Sequence, residues 1–83
     1  MGLILFYDKK VKEAVYKTDS SYVNKKFIKD NNLIGYTIVK FEDDEFKSAE
    51  QRFNEFIISE KLNTDRLPIR KEIENINQNK STR

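Results

Sequence analysis

An uninterrupted apolar run, LILFY from Leu3 to Tyr7, stands near the start of the sequence. The run is too short for a stable helix and consists of residues that favour strands, so we predict a buried strand over Gly2–Tyr7. It is also far shorter than a membrane span or the apolar region of a signal peptide. We therefore expect no membrane partner and a cytoplasmic location.

The segment after this run predicts a hairpin. Asp8-Lys9-Lys10 supplies a polar connection, and residues 11–17 alternate as a strand does when it pairs back on its neighbour. A helix that begins at Val11 is the alternative, because neither Gly nor Asn-Gly marks the turn. The hairpin is the interpretation that we adopt.

Two further elements follow the hairpin. The cluster Thr18-Asp19-Ser20-Ser21 contains residues that cap helix N-termini, so we expect a first helix to begin there and to end at Asp30-Asn31-Asn32. Leu33–Phe41 then alternates with apolar residues on both of its faces, which predicts a third strand. Because both faces are apolar, we expect this strand at the centre of the sheet.

The second half of the chain contains the most regular helical pattern. Ser48-Ala49-Glu50-Gln51 fits a capping box, and apolar residues recur at helical spacing up to about Lys61. Asn63–Arg66 interrupts the pattern, and Pro68 forces the residue before it towards an extended conformation. Three isoleucines at helical spacing predict a short C-terminal helical segment beyond this break: Ile69, Ile73 and Ile76.

These elements define an α+β fold in the order strand, strand, helix, strand, helix. We predict a small three-stranded sheet with the two main helices on one face, followed by the short C-terminal helical segment. Residues 1–76 would form a single domain, with 66–76 as a peripheral helix, and residues 77–83 a disordered tail. At least one sheet edge stays exposed, so a homodimer through that edge is a candidate assembly.

Composition and motifs argue against catalysis. The chain has no Cys or His, which removes disulfides, thiolate nucleophiles, Cys-based zinc sites and histidine bases. Glu45-Phe46-Lys47, with Asp30 upstream, matches the acid-x-Lys fragment of metal-dependent nucleases, but Glu45 falls after the predicted strand instead of on it. We expect no enzyme, no cofactor and no metal, with a metal-dependent nuclease as a remote alternative.

Four consecutive acids, Glu42, Asp43, Asp44 and Glu45, stand directly before the second predicted helix. In one interpretation, their negative charge interacts favourably with the positive N-terminal end of the helix dipole. In a second they form an acidic face that docks on a basic surface of a partner. A third interpretation, metal binding, fits poorly, because the run lacks the alternating spacing and the glycine of a calcium loop.

The basic residues also have two interpretations, although the net charge is only +2. They could keep a small protein soluble as a solvated face, or converge into one patch that contacts the phosphates of a nucleic acid. Lysines outnumber arginines by 12 to 4, which disfavours bidentate recognition. The candidate nucleic-acid surface comprises six lysines: Lys9, Lys10, Lys12, Lys25, Lys26 and Lys29.

For function we favour a small protein-binding module, of an accessory or inhibitory kind, that covers a surface of a larger partner. Lys, Asn, Ile, Phe and Tyr, which have A/T-rich codons, make up 39 of the 83 residues. This bias is typical of low-GC bacteria and their phages, so a phage-type inhibitor of a host enzyme or defence system is the specific expectation. Besides the acid run, four residues are candidate contacts because Tyr and Arg suit interfaces: Tyr22, Tyr36, Arg66 and Arg70.

Overall fold

The structure is a computed structural model that describes residues 2–67. The α+β class and the order strand, strand, helix, strand, helix are confirmed. The C-terminal helical segment expected beyond Leu67, the tail over 77–83 and Arg70 lie outside the described residues. The elements are β1 (Gly2–Asp8), β2 (Glu13–Asp19), a 3-10 turn (Ser20–Tyr22), α1 (Lys25–Asp30), β3 (Thr37–Glu42) and α2 (Ala49–Glu60).

The sheet is antiparallel and has the order β2-β1-β3, so β1 lies at its centre. The prediction that the third strand would be central was wrong. β1 is apolar at every position from Leu3 to Tyr7, and all of these residues are buried. β3 carries Lys40 and Glu42 and leaves Ile38 46% exposed, which suits an edge position.

The two helices cover opposite faces of the sheet, because alternate side chains of β1 enter two separate cores. The α2 core contains Leu3, Leu5, Tyr7, Ala14, Phe41, Ala49, Phe53 and Leu62. The α1 core contains four buried residues, with Phe27 and Ile28 of α1 packed against them: Ile4, Phe6, Val15 and Leu33. The prediction that both main helices share one face was therefore wrong. A central strand that is apolar on both sides requires cover on both sides.

The hairpin that links β1 to β2 is confirmed, and the Asp8 carboxylate shapes its turn. Asp8 Oδ1 accepts hydrogen bonds from the backbone N–H groups of Lys10 (3.0 Å) and Val11 (3.3 Å). Lys12 adopts a left-handed conformation (φ 58°), and β2 begins only at Glu13. The aspartate thus organises a turn that contains neither Gly nor Asn-Gly.

A β-bulge in β2 breaks the strict alternation that the sequence suggests. Phe6 faces Tyr16 and Tyr7 faces Ala14, so Val15 is an extra residue without a partner on β1. Val15 and the adjacent Tyr16 consequently both contribute to the α1 core. Because of this bulge, β2 contributes side chains to both cores without regular alternation.

Two predicted boundaries were wrong. Thr18–Asp19 extends β2 by pairing with β1, and Asp19 caps only the 3-10 turn, where its Oδ1 accepts the Ser21 N–H at 2.9 Å. The helix α1 begins instead after Asn24, whose Oδ1 accepts the N–H of Phe27 at 2.8 Å. β3 begins at Thr37, because the chain at Leu33 first fills the α1 core. In both cases the pairing and packing of distant residues overrode the local preference of the sequence.

Candidate functional site

The acid run forms the connection between β3 and α2, and we define the acidic loop as residues 42–47. Asp44 organises this loop, because its Oδ1 accepts hydrogen bonds from the backbone N–H groups of Phe46 (2.7 Å) and Lys47 (2.8 Å). The Asp44 N–H in turn donates to the Lys47 carbonyl oxygen at 2.9 Å. The second carboxylate oxygen of Asp44 pairs with Arg52 on α2. Together these contacts give the loop a defined shape.

Asp43 and Ser48 accept backbone hydrogen bonds at the start of α2. Asp43 Oδ1 accepts the N–H of Ala49 at 2.6 Å, and this bond holds the pKa of the Asp43 carboxyl below its ordinary value. Ser48 Oγ accepts the N–H of Gln51 at 3.1 Å, while Gln51 Oε1 accepts the Ser48 N–H at 3.0 Å. This exchange is the capping box that the sequence predicts.

The Phe46 side chain projects from the acidic loop and is 81% exposed, more than any other large hydrophobic side chain described in residues 2–67. Reasoning from the sequence missed it as a contact residue, because most phenylalanines in so small a domain belong to a core. A signal was present, however. Phe46 falls outside both the alternation of β3 and the helical spacing that Phe53 and Phe56 share.

Two carboxylates of the acidic loop stand near Phe46 in sequence and are exposed. Glu45 makes no hydrogen bond or ion pair with the described part of the chain. Glu42 pairs with Lys40 at 3.0 Å, but such surface pairs contribute only about 0–1 kcal/mol. Lys47 is already paired with Glu55 on α2, at 2.8 Å. The loop therefore presents an aromatic ring with net negative charge beside it.

The other predicted contact residues do not join the acidic loop as one site. Tyr36 precedes β3 and Glu42 ends it, so about 20 Å of strand separates them. An interaction with the Tyr36 side chain raises the pKa of Arg66, and Arg66 Nη1 pairs with Glu13 Oε1 at 3.4 Å. Tyr22, 65% exposed, follows β2 at the end of the sheet where Glu42 lies. The structure thus brings Arg66 to Tyr36 and places Tyr22 at the same end of the sheet as the acidic loop.

Three of the six candidate lysines lie on the hairpin turn. Lys9 and Lys10 are exposed and form no ion pair with the residues that the structure describes. Lys12 lies 3.7 Å from Glu60 Oε1, on the last turn of α2. The hairpin therefore offers two unpaired ammonium groups in the described region.

The other three candidate lysines lie on α1, which packs over the α1 core. Lys26 pairs with Asp30 one turn away, at 2.8 Å. Lys25 and Lys29 are exposed and have no such partner within residues 2–67. The six lysines thus belong to two separate elements, one at an end of the sheet and one over a face.

Among residues 2–67, no group of three or more Asp, Glu, His or Cys side chains is arranged to hold a metal ion. Glu45 of the acid-x-Lys fragment lies on the acidic loop and not on a strand, and Asp30 ends α1. In the same range, no helix combines the length and the apolar character needed to cross a membrane.

Fold and loop together define the class of this protein. It is a small α+β domain, with an antiparallel sheet between two helices, that carries a structured acidic loop with an exposed phenylalanine. No family model matches the chain, and comparisons with curated proteins and with solved structures also found no match. Its function must therefore be inferred from the chemistry of its surface.

Proposed function

We propose that this protein is a small non-enzymatic binding module that covers a surface of a larger protein through its acidic loop. The observation that carries the proposal is the 81% exposure of Phe46 on a loop that Asp44 holds in shape. A covered phenylalanine buries roughly 150–250 Å², at about 25 cal/mol per Å². The free protein lacks this stabilisation because its Phe46 ring is exposed to water, whereas a complex that covers the ring would gain it.

The hydrogen bonds of Asp44 make Phe46 an effective anchor. A loop that is ordered before binding loses less conformational entropy when the complex forms. Aromatic side chains in well-packed pockets are also enriched among the few residues that dominate the binding energy of protein interfaces. Phe46 on its ordered loop meets the first condition, and a partner pocket that covers the ring would meet the second.

The charges near Phe46 indicate the chemistry of the partner. Glu42 and Glu45 complement an apolar pocket rimmed by Lys or Arg side chains. Charges at the rim of an interface chiefly raise the association rate, and salt screens them. Tyr22, at the same end of the sheet, is a further residue of the proposed contact surface.

We extend the proposal to an accessory or inhibitory role, in which the module blocks a functional surface of its partner. The support is compositional, since 39 of the 83 residues have A/T-rich codons, as is typical of low-GC bacteria and their phages. The specific form of the proposal is a phage-type inhibitor of a host enzyme or defence system, acting in the host cytoplasm.

The Phe46→Ser variant tests the proposal. Immobilised wild-type and variant proteins are exposed to the lysate of a low-GC bacterium, and the retained proteins are identified by mass spectrometry. Ile58→Ser is the matched control, because Ile58 is 74% exposed on α2 and lies outside the acidic loop. We expect the wild type and the Ile58→Ser variant to retain a common partner, and Phe46→Ser to weaken its binding at least about tenfold.

Glu42→Gln and Glu45→Gln, combined in one variant, give a second readout with the purified partner. In this variant, which keeps Phe46, the association rate should fall and should depend less on the salt concentration. Equal retention by the wild type and the Phe46→Ser variant, or equal loss with Ile58→Ser, would contradict the proposed role of the acidic loop.

A further inference from the structure

A surface depression of about 460 Å³ lies at the end of the sheet opposite the acidic loop. Its volume falls within the ~300–1,000 Å³ of typical small-molecule sites. It is separate from the proposed protein contact and does not depend on it. The end of β1, the hairpin turn and the segment at the start of β3 form its walls: Tyr7, Asp8, Lys9, Lys10 and residues 34–37.

One wall of the depression is cationic. Lys9 and Lys10 form no ion pair with the described part of the chain, so both ammonium groups are available to a ligand. Asp8 is the carboxylate among the lining residues, and its Oδ1 already accepts two backbone N–H groups of the turn. Arg66 interacts with Tyr36 but adds no net charge, because its guanidinium pairs with Glu13 Oε1 at 3.4 Å. The balance of charge at this wall favours an anion.

The other wall is apolar and aromatic. Ile34 is 74% exposed, and the half-buried Tyr36 side chain packs against the α1 core. Gly35 lies between them with φ +96°, and a Cβ at this position would meet no atom within 4 Å. The depression is therefore open at Gly35, with an aliphatic side chain on one side and an aromatic ring on the other. Such a surface accepts a flat, largely apolar group.

We propose that this depression binds a nucleoside phosphate, as a free nucleotide or as one unit of a single-stranded nucleic acid. Lys9 and Lys10 contact the phosphate, and the base packs against Tyr36 and Ile34. Stacking on an aromatic side chain suits every base, and lysines act as point charges without a fixed geometry. The site therefore recognises the chemistry of a nucleotide and not a particular base sequence. Two of the six candidate lysines would thus contact the phosphate of this ligand.

Fluorescence anisotropy with a labelled oligothymidylate of about ten nucleotides tests the proposal at low salt. We expect Lys9→Gln combined with Lys10→Gln to weaken binding at least about tenfold. The slope of the logarithm of the binding constant against the logarithm of the salt concentration should become shallower by about 1.4, or about 0.7 per lost phosphate contact. Ile34→Asp, at an exposed position that leaves the fold intact, should also weaken binding. Lys25→Gln combined with Lys29→Gln, which removes the same charge from α1, should leave the affinity unchanged.

Competition identifies the source of the ligand. AMP should displace the oligonucleotide at concentrations at least about tenfold lower than inorganic phosphate does, because only AMP carries a base. If AMP binds as tightly as the oligonucleotide, the ligand is a free nucleotide. If the oligonucleotide binds much more tightly than AMP, the ligand is a single-stranded nucleic acid. Three results would overturn the proposal: no binding of either the oligonucleotide or AMP at low salt, equal competition by phosphate and AMP, or an equal loss of affinity with the α1 variant.

Discussion

At the scale of single residues, the acid run divides into two pairs with different contacts. All four are exposed, but Asp43 and Asp44 accept backbone N–H groups, whereas the Glu42 and Glu45 side chains accept none from the described residues. Short side chains reach the nearby backbone more readily than longer ones, which explains why the aspartates take the backbone positions. The proposed binding role therefore falls on the two glutamates together with Phe46.

Asp43→Asn is expected to weaken the acid sensitivity of the fold. The Ala49 N–H lowers the pKa of Asp43 in the folded protein. The ionised carboxyl therefore stabilises the fold at pH values above the pKa that Asp43 has in the unfolded chain. That contribution is lost as the pH falls through the folded pKa, below about pH 4. Urea denaturation followed by circular dichroism at successive pH values measures the effect.

The wild type should lose stability more steeply than the Asp43→Asn variant between about pH 4 and pH 2. Glu45→Gln is the control, because Glu45 makes no hydrogen bond or ion pair within the described residues. The free energy of unfolding of this variant should change with pH as steeply as that of the wild type. Parallel profiles for the wild type and Asp43→Asn would contradict the assigned role of Asp43.

At the scale of elements, the sequence was sufficient to predict the type and order of every main strand and helix in residues 2–67. It was not sufficient for the sheet order, the side of the sheet that each helix covers, or the start of α1. These depend on contacts between distant residues, such as the pairing of Thr18–Asp19 with β1. The acid run was likewise evident from the sequence, whereas the exposure of Phe46 was not.

The capping box of α2 gives a prediction at this scale. Ser48→Ala removes the side chain that accepts the Gln51 N–H, so the free energy of unfolding should fall by about 1 kcal/mol, within ~0.5–2. Ser59→Ala is the control, because Ser59 is an exposed residue inside α2 where alanine is the better helix former. Urea denaturation measures both. A free energy of unfolding for Ser48→Ala equal to that of the wild type would show that the cap contributes nothing.

At the scale of the whole molecule, β1 joins the two cores into one folding unit. Its odd-numbered residues from Leu3 to Tyr7 enter the α2 core, and Ile4 and Phe6 enter the α1 core. Neither core is large, since a chain of this length buries only ~60–65% of its unfolded surface. We therefore expect the loss of one core to unfold the other.

Phe6→Ala tests this coupling. Phe6 is fully buried, and its truncation should lower the free energy of unfolding by about 3–5 kcal/mol, which is a large share of the ~5–15 kcal/mol of a typical domain. Thermal unfolding should remain a single transition at a much lower temperature. Val11→Ala, at a position that is 64% exposed, should change stability by less than ~0.5 kcal/mol. Two separate transitions in the Phe6→Ala variant would show that the cores fold independently.

The support of the acidic loop has a consequence for how such a domain can diverge. Asp43, Asp44 and Ser48 maintain the loop through backbone contacts, and none of these contacts uses the side chain at position 45 or 46. Under the proposed binding role, mutations at those two positions would change partner preference while the scaffold persists. A lineage in conflict with an evolving target would conserve the capped loop and vary its tip. A library randomised at the same positions would yield binders of new specificity from one fold.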